Sequence, residues 1–222
     1  MGPYTKHFKP ETRNTNVHPM EQNPENIIIL VLGSPGAGKT TLINSVNAEI
    51  QNFEVVNIGT LMAEEVKSQN IPRDRLRYLP TEKIRELRKA AFGRIAKMKG
   101  TVIVDTHATV EKGNKFIFGL PINDLQYMGN IRGIIYVDAS PEELIKRRSA
   151  DTVRKRENDD EEILNLQRHL NLSVVTLYGS TYDIPVYILH NKEENLEAAK
   201  ADFKSFIKDI TENSEYHDRS NS

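Results

Sequence analysis

The 222-residue sequence contains no cysteine, which excludes disulfides, thiolate metal sites and cysteine nucleophiles. That absence favours a reducing interior or a hot habitat, and the cytoplasm is the expected compartment. Charge of one sign is also lacking: 30 Lys and Arg stand against 31 Asp and Glu, a net charge of −1. No global cationic field argues for sequestering nucleic acid or coating an anionic membrane, so any anion site is local. Long hydrophobic runs are missing too. The longest, at residues 27–32, is far too short to span a bilayer. The start of the chain, with Pro3, Pro10, Pro19 and Pro24, lacks the apolar core of a signal peptide, and export is not expected.

At 38% hydrophobic and 27% charged residues, the composition is that of a packed globular protein. Residues 1–25 hold four of the ten prolines and no apolar periodicity, and read as an extension without stable structure. Residues 211–222 read as a polar tail that frays. The segment between, residues 26–210, has the length of one α/β domain. Within it, β-branched runs at 27–32, 54–58, 101–105, 133–138 and 185–190 alternate with helix-length patterns, the rhythm of a parallel sheet covered on both faces. Thr81, Ile84, Leu87, Ala91, Ile95 and Met98 mark one long amphipathic helix, and Ser140-Pro141-Glu142-Glu143 is a capping box with proline at the first helical position. Such sheets bind ligands at the carboxyl ends of their strands. The loops after Leu32, Ile58, Asp105 and Asp138 are therefore where chemistry is expected.

The first of these loops is Gly33-Ser34-Pro35-Gly36-Ala37-Gly38-Lys39-Thr40, which fits G-x-x-x-x-G-K-[ST] between an apolar strand and a helical pattern. The glycines let backbone N–H groups turn towards phosphate oxygens, and the helix N-terminus adds positive potential. Lys39 reaches the β- and γ-phosphates, Thr40 offers a hydroxyl to Mg²⁺, and Thr41 continues the cradle into the helix. This is a nucleoside triphosphate site. A guanine-reading N-K-x-D is not completed, because Asn191-Lys192-Glu193-Glu194 ends in Glu and no D-x-x-G follows the third strand. Motor ATPases usually need a larger domain, so size favours a phosphotransferase.

Asp105, ending the third strand, is placed to hold Mg²⁺ or its water shell opposite the cradle. His107 either contacts an acceptor phosphate or fixes its loop. Six cations, Lys146, Arg147, Arg148, Arg154, Lys155 and Arg156, fall within eleven residues. Guanidinium forks stabilise charge developing on a transferred phosphoryl group, and residues 149–160 read as a short lid that closes arginines over the triphosphate and excludes water. A second cluster, Arg73, Arg75 and Arg77, follows the second strand; Arg77 and then Arg73 are its candidates for clamping an acceptor phosphate. Two facing anion sites imply a phosphate-ester acceptor such as a nucleoside monophosphate.

At these residues the sequence resembles the archaeal-type adenylate kinases, a branch of the P-loop nucleoside monophosphate kinases. The resemblance covers residues 27–210 and rests on Asn57-Ile58-Gly59-Thr60-Leu61-Met62, on Arg73-Asp74 with Arg77 and Leu79-Pro80, and above all on Val104-Asp105-Thr106-His107-Ala108-Thr109 followed by Gly119-Leu120-Pro121. Arg147-Arg148, Asp151, Arg154, Arg156 and Tyr178 continue it.

It implies a three-layer α/β/α fold of the P-loop NTPase type with a five-stranded parallel sheet, an AMP-binding region at 59–80, a short lid and a homotrimer. It also implies reversible Mg²⁺-dependent transfer, ATP and AMP giving two ADP. Position by position, Gly33, Ser34, Pro35, Gly36, Ala37, Gly38, Lys39, Thr40 and Thr41 bind ATP phosphates. Gly59, Thr60, Arg77 and His107 lie on the AMP side, Arg148 lies near the adenine of ATP, and Arg154 and Arg156 close on the transferring phosphates. In one place the chain departs: the family pattern has an Asn-Arg pair in the helix after the lid, and here Asn171-Leu172 stands there with Arg168 a turn earlier. Two alternatives stay open, a P-loop kinase of UMP, CMP or a small metabolite, and an ATP-binding regulatory protein.

Overall fold

The β-branched runs form five parallel strands in the computed structural model, which describes residues 26–67, 71, 73–113, 115–150, 160–192 and 195–212. The expected N-terminal extension, most of the lid, and the tail from residue 213 lie outside the described residues. The strands are β1 (Asn26–Leu32), β2 (Glu54–Asn57), β3 (Gly100–Asp105), β6 (Ile131–Asp138) and β7 (Val186–His190), in the order β2-β3-β1-β6-β7. A separate antiparallel pair, β4 (Thr109–Lys112) and β5 (Lys115–Phe118), lies outside that sheet. β1 is central, pairing Val31 with Asp105 on one side and with Ile135 on the other. The crevice beyond its carboxyl end is where doubly wound sheets take ligands.

Alternation along the strands sorts the core into two layers, since successive side chains point to opposite faces. Ile28, Leu30, Leu32, Val102, Val104, Ile134 and Tyr136 face α2 (Ile58–Glu65), α3 (Thr81–Ile95) and α5 (Glu161–Tyr182). Ile29, Val31, Ile103, Ile135 and Val137 face α1 (Lys39–Ile50), α4 (Pro141–Ala150) and α6 (Leu196–Glu212). From Ile28 to Leu32 both faces of β1 are dry, which is why that stretch is continuously apolar rather than alternating. Each fully buried aliphatic or aromatic side chain here contributes about 1.5–3 kcal/mol before entropy is counted.

Helix ends follow their local chemistry. The capping box forms in both directions, with the Ser140 N–H donating to Glu143 Oε2 at 2.9 Å and the Glu143 N–H to Ser140 Oγ at 3.3 Å. Asp160 Oδ1 accepts from the N–H groups of Glu162 and Ile163 and starts α5. α3 stops at Ile95, short of the Met98 that its apolar spacing reached, and α6 runs through Glu212, past the expected start of the tail. None of the described helices is long and apolar enough to cross a membrane.

Tyr136 and Tyr178 place phenols in this core. Burial pushes the Tyr136 hydroxyl up to about 12, against the opposing hydrogen bonds from Asn171 and Ser34, and pushes Tyr178 up further. In the unfolded chain both ionise near 10. Above that pH the unfolded state has shed protons that the folded state keeps, so stability falls as pH rises. Tyr136 alone should cost about 3 kcal/mol between pH of about 10 and 12. Urea unfolding should give a flat free energy up to pH of about 9.5 and a steep loss beyond it; an unchanged value at pH of about 11.5 would contradict this reading of the two phenols.

Candidate active site

The loop from Gly33 to Lys39 turns its chain so tightly that glycine is required at two places. Gly38 has φ +84°, and a Cβ there would stand 2.4 Å from Asn191 Nδ2; at Gly33 it would stand 2.4 Å from the Val137 carbonyl oxygen. A loop that presents N–H groups to an anion leaves carbonyls needing donors on its other side. Side chains supply them. Lys39 Nζ donates to the carbonyls of Gly33 (3.2 Å) and Ser34 (3.3 Å), and Arg148 Nη2 to that of Pro35 (3.0 Å). The Ala37 carbonyl accepts from both Arg147 Nη1 (3.0 Å) and Asn191 Nδ2 (2.8 Å).

Arg147 and Arg148 thus brace the cradle from α4 by holding its carbonyls, a direction that a count of cations does not reveal. Asn191, the first residue of the incomplete guanine signature, does the same from the end of β7.

Across the crevice, β3 ends at Asp105, 5% exposed. Its register fixes it: Val31 and Asn57 are its partners on β1 and β2, and the Asn57 amide donates to its carbonyl at 2.9 Å. Asn57 also caps α2, its Oδ1 accepting from the Thr60 N–H at 3.2 Å. One side chain therefore ties the carboxylate strand to the first turn of α2, where Gly59 and Thr60 lie.

Two contacts join this strand end to the cradle. The Thr40 hydroxyl donates to Asp105 Oδ2 at 2.7 Å, and His107 Nδ1 stands 3.2 Å from Lys39 Nζ. An ammonium only donates, so Nδ1 accepts in that contact and the ring proton sits on Nε2; the same Nδ1, 3.2 Å from the Gly33 carbonyl, would serve as donor there only in the other tautomer. Lys39 is 4% exposed, a buried cation in a nest of carbonyls.

At the end of β6, Asp138 is gripped by Arg168, whose Nε and Nη2 donate to its two oxygens at 2.7 Å each. His190 Nδ1 lies 3.3 Å from the same carboxylate. The hydrogen bonds to Asp138 hold the Arg168 guanidinium above its ordinary range, so the turn-earlier arginine in α5 is engaged by a strand-end carboxylate. Arg154 and Arg156 lie outside the described residues, and so do the side chains of Arg73 and Arg77.

In the sequence Asn57, Asn171 and Asn191 stand only as members of longer motifs, Asp138 only as the end of a strand, and Gln167 not at all, and their hydrogen bonds come from the fold. Each is a polar side chain at a strand end or within an apolar helix face, and that interruption of pattern is the available signal.

A family model described as an AAA domain matches residues 32–165, from the cradle into α5. Adenylate kinase of Methanopyrus kandleri is 32% identical over 190 residues, 82% of this chain and 98% of the relative. Adenylate kinase of Methanocaldococcus jannaschii is 29% identical over 83% of this chain and 100% of its own length, and that of Pyrococcus horikoshii 30% over 75% and 87%. Among solved structures, shikimate kinase from Bacteroides thetaiotaomicron superposes with a TM-score of 0.53 at 15% identity, over 82% of this chain and 98% of that one, a likeness of fold alone. With this identity spread over nearly the full length of several relatives, and a glycine-rich loop set against a carboxylate strand, the chain belongs to the adenylate kinases of the archaeal type and is a phosphotransferase.

Proposed function

We infer that these residues carry out reversible Mg²⁺-dependent phosphoryl transfer, ATP and AMP giving two ADP, by direct in-line displacement. The observation that carries the reading is the junction of Thr40 with Asp105 and of Lys39 with His107, which sets the donor cradle against the segment after β3. An oxygen of the AMP phosphate attacks the γ-phosphorus, the new P–O bond forms as the bond to the β-phosphate bridging oxygen breaks, and ADP leaves. That oxygen is already anionic, so no strong general base is needed; positioning and charge do the work.

In this reading Gly33, Ser34, Pro35, Gly36, Ala37, Gly38, Lys39, Thr40 and Thr41 hold the triphosphate, and Arg148 borders the adenine. Gly59, Thr60, Arg77 and His107 hold AMP, and Arg154 and Arg156 close from a lid at 149–160. The donor set fits magnesium, since Thr40 Oγ1 and Asp105 Oδ2 are hard oxygens 2.7 Å apart. Bound there directly or through water, the ion would neutralise charge on the β- and γ-phosphate oxygens. The resemblance supports a homotrimer, the lack of cysteine supports the cytoplasm as its compartment, and residues 1–25 form an extension beyond the kinase domain.

Initial rates of ADP formation from ATP·Mg²⁺ should be at least about tenfold faster with AMP than with UMP, CMP or GMP, and near zero without an acceptor. Equal or faster rates with UMP or CMP would reassign the acceptor. Hydrolysis indifferent to acceptor would point to ATP binding that gates a partner.

A further inference from the structure

The inner face of α5 carries two amides where packing alone calls for hydrocarbon. Gln167 is 2% exposed and Asn171 0%, on a face that otherwise buries Leu164, Val174, Val175 and Tyr178. Four residues apart, they lie one above the other. A buried amide costs stability unless its donors and acceptors are met, and the partners that meet these come from two other parts of the site. Asn171 Nδ2 donates to Ser34 Oγ in the cradle at 3.0 Å, while its Oδ1 accepts from the Thr109 hydroxyl at 2.7 Å. Gln167 Nε2 donates to the Thr109 carbonyl at 3.3 Å.

Thr109 opens β4 four residues after Asp105 and two after His107, so it fixes where that segment goes on leaving the sheet. The far end of the β4–β5 hairpin is held by the same helix, the Tyr178 hydroxyl donating to the Leu120 carbonyl and the Tyr182 hydroxyl to that of Ile122. α5 thereby grips both ends of the hairpin and, through one amide, the second residue of the phosphate loop. Val or Leu at these positions would fill the space but leave the spacing between cradle and hairpin to packing alone.

We propose that Asn171 and Thr109 are positioning residues that set the distance between the donor cradle and the segment 105–109, so that their loss falls on the transfer step and not on substrate binding. The proposal rests on the phosphoryl-transfer reading above and deepens it.

The test is Thr109→Val, which keeps the shape and deletes the hydroxyl that Asn171 accepts, beside Thr109→Ser, which restores it, and Asn171→Leu. A misplacement of this kind should lower kcat about tenfold in Thr109→Val, with the KM for ATP and for AMP within about twofold. Thr109→Ser should recover wild-type kcat, and the Thr109→Val/Asn171→Leu double variant should fall little further than Asn171→Leu, because the two substitutions break one link. A folded Thr109→Val with unchanged kcat, an effect carried by KM, or additive losses would overturn the proposal.

Amide hydrogen exchange separates it from the activity itself. Thr109→Val should raise exchange at residues 33–40 and 109–118 together, and exchange raised only within α5, or nowhere, overturns the positioning role. If wild-type protein formed no ADP from ATP and AMP, the reaction reading would fall, and this exchange pattern would still decide whether the bridge couples cradle to hairpin.

Discussion

Replacing Lys39 with alanine is expected to lower kcat/KM for ADP formation by at least about a thousandfold while the chain stays folded. The ammonium is held by the Gly33 and Ser34 carbonyls and His107 Nδ1, at 3.2–3.3 Å, so it is already fixed in the loop proposed to receive the phosphates. Its charge needs no reorganisation when negative charge shifts during transfer. A unit pair about 4 Å apart at an effective dielectric of about 20 is worth about 4 kcal/mol, and each 1.4 kcal/mol or so is tenfold in rate, which gives the magnitude.

Stability should move little, because deleting a buried cation removes its desolvation cost along with its hydrogen bonds. Urea unfolding midpoints close to wild type, together with lost turnover, are the expected pair of results. Near-normal turnover in a folded Lys39→Ala would reject the cradle as the site of transfer. Lys39→Arg should not rescue, since a planar fork does not fit a nest built for a compact ammonium.

The parts of this site that the sequence exposes are those where backbone geometry and residue type coincide. A tight loop requires glycine, a buried parallel strand reads as an apolar run, and the Ser140 to Glu143 box shows its helix start because both partners are local. Direction is harder. Arg147 and Arg148 were legible as charge, but their guanidiniums serve the Pro35 and Ala37 carbonyls over more than a hundred residues of separation. Nothing local tells a phosphate clamp from a carbonyl brace.

Arg168 is a similar case: its place one turn before Asn171 is plain in the sequence, but only the fold shows its guanidinium gripping Asp138 at the end of β6. The β4–β5 hairpin was missed because each strand has only four residues and pairs outside the main sheet. Its signal was there, two short runs flanking Gly113-Asn114, a dipeptide that closes two-residue hairpins. Asn171 and Gln167 interrupt an otherwise apolar helix face; a reader can see the interruption, but only the fold supplies Ser34 and Thr109 as the reason.

Asp105→Asn is the sharper probe of the other half of the site. Asparagine has nearly the shape of aspartate and can still accept from the Thr40 hydroxyl, which now donates to Asp105 Oδ2 at 2.7 Å. The backbone anchors, the Asn57 amide on the Asp105 carbonyl and the strand register beside it, are untouched by the change. What asparagine removes is the negative charge. If Asp105 serves the metal, kcat should fall about a hundredfold or more and the Mg²⁺ concentration needed for half-maximal rate should rise, because a neutral amide oxygen is a poorer partner for a hard divalent ion or its water shell.

If Asp105 only fixes the loop, Asp105→Asn should keep nearly full activity at unchanged Mg²⁺, and Asp105→Ala alone should fail, having lost the acceptor for Thr40 at a stability cost of about 1 kcal/mol. A magnesium titration of initial rates in the wild type and the two variants therefore separates charge from hydrogen bond. The expected order is wild type far above both variants, with Asp105→Asn closer to Asp105→Ala than to the wild type.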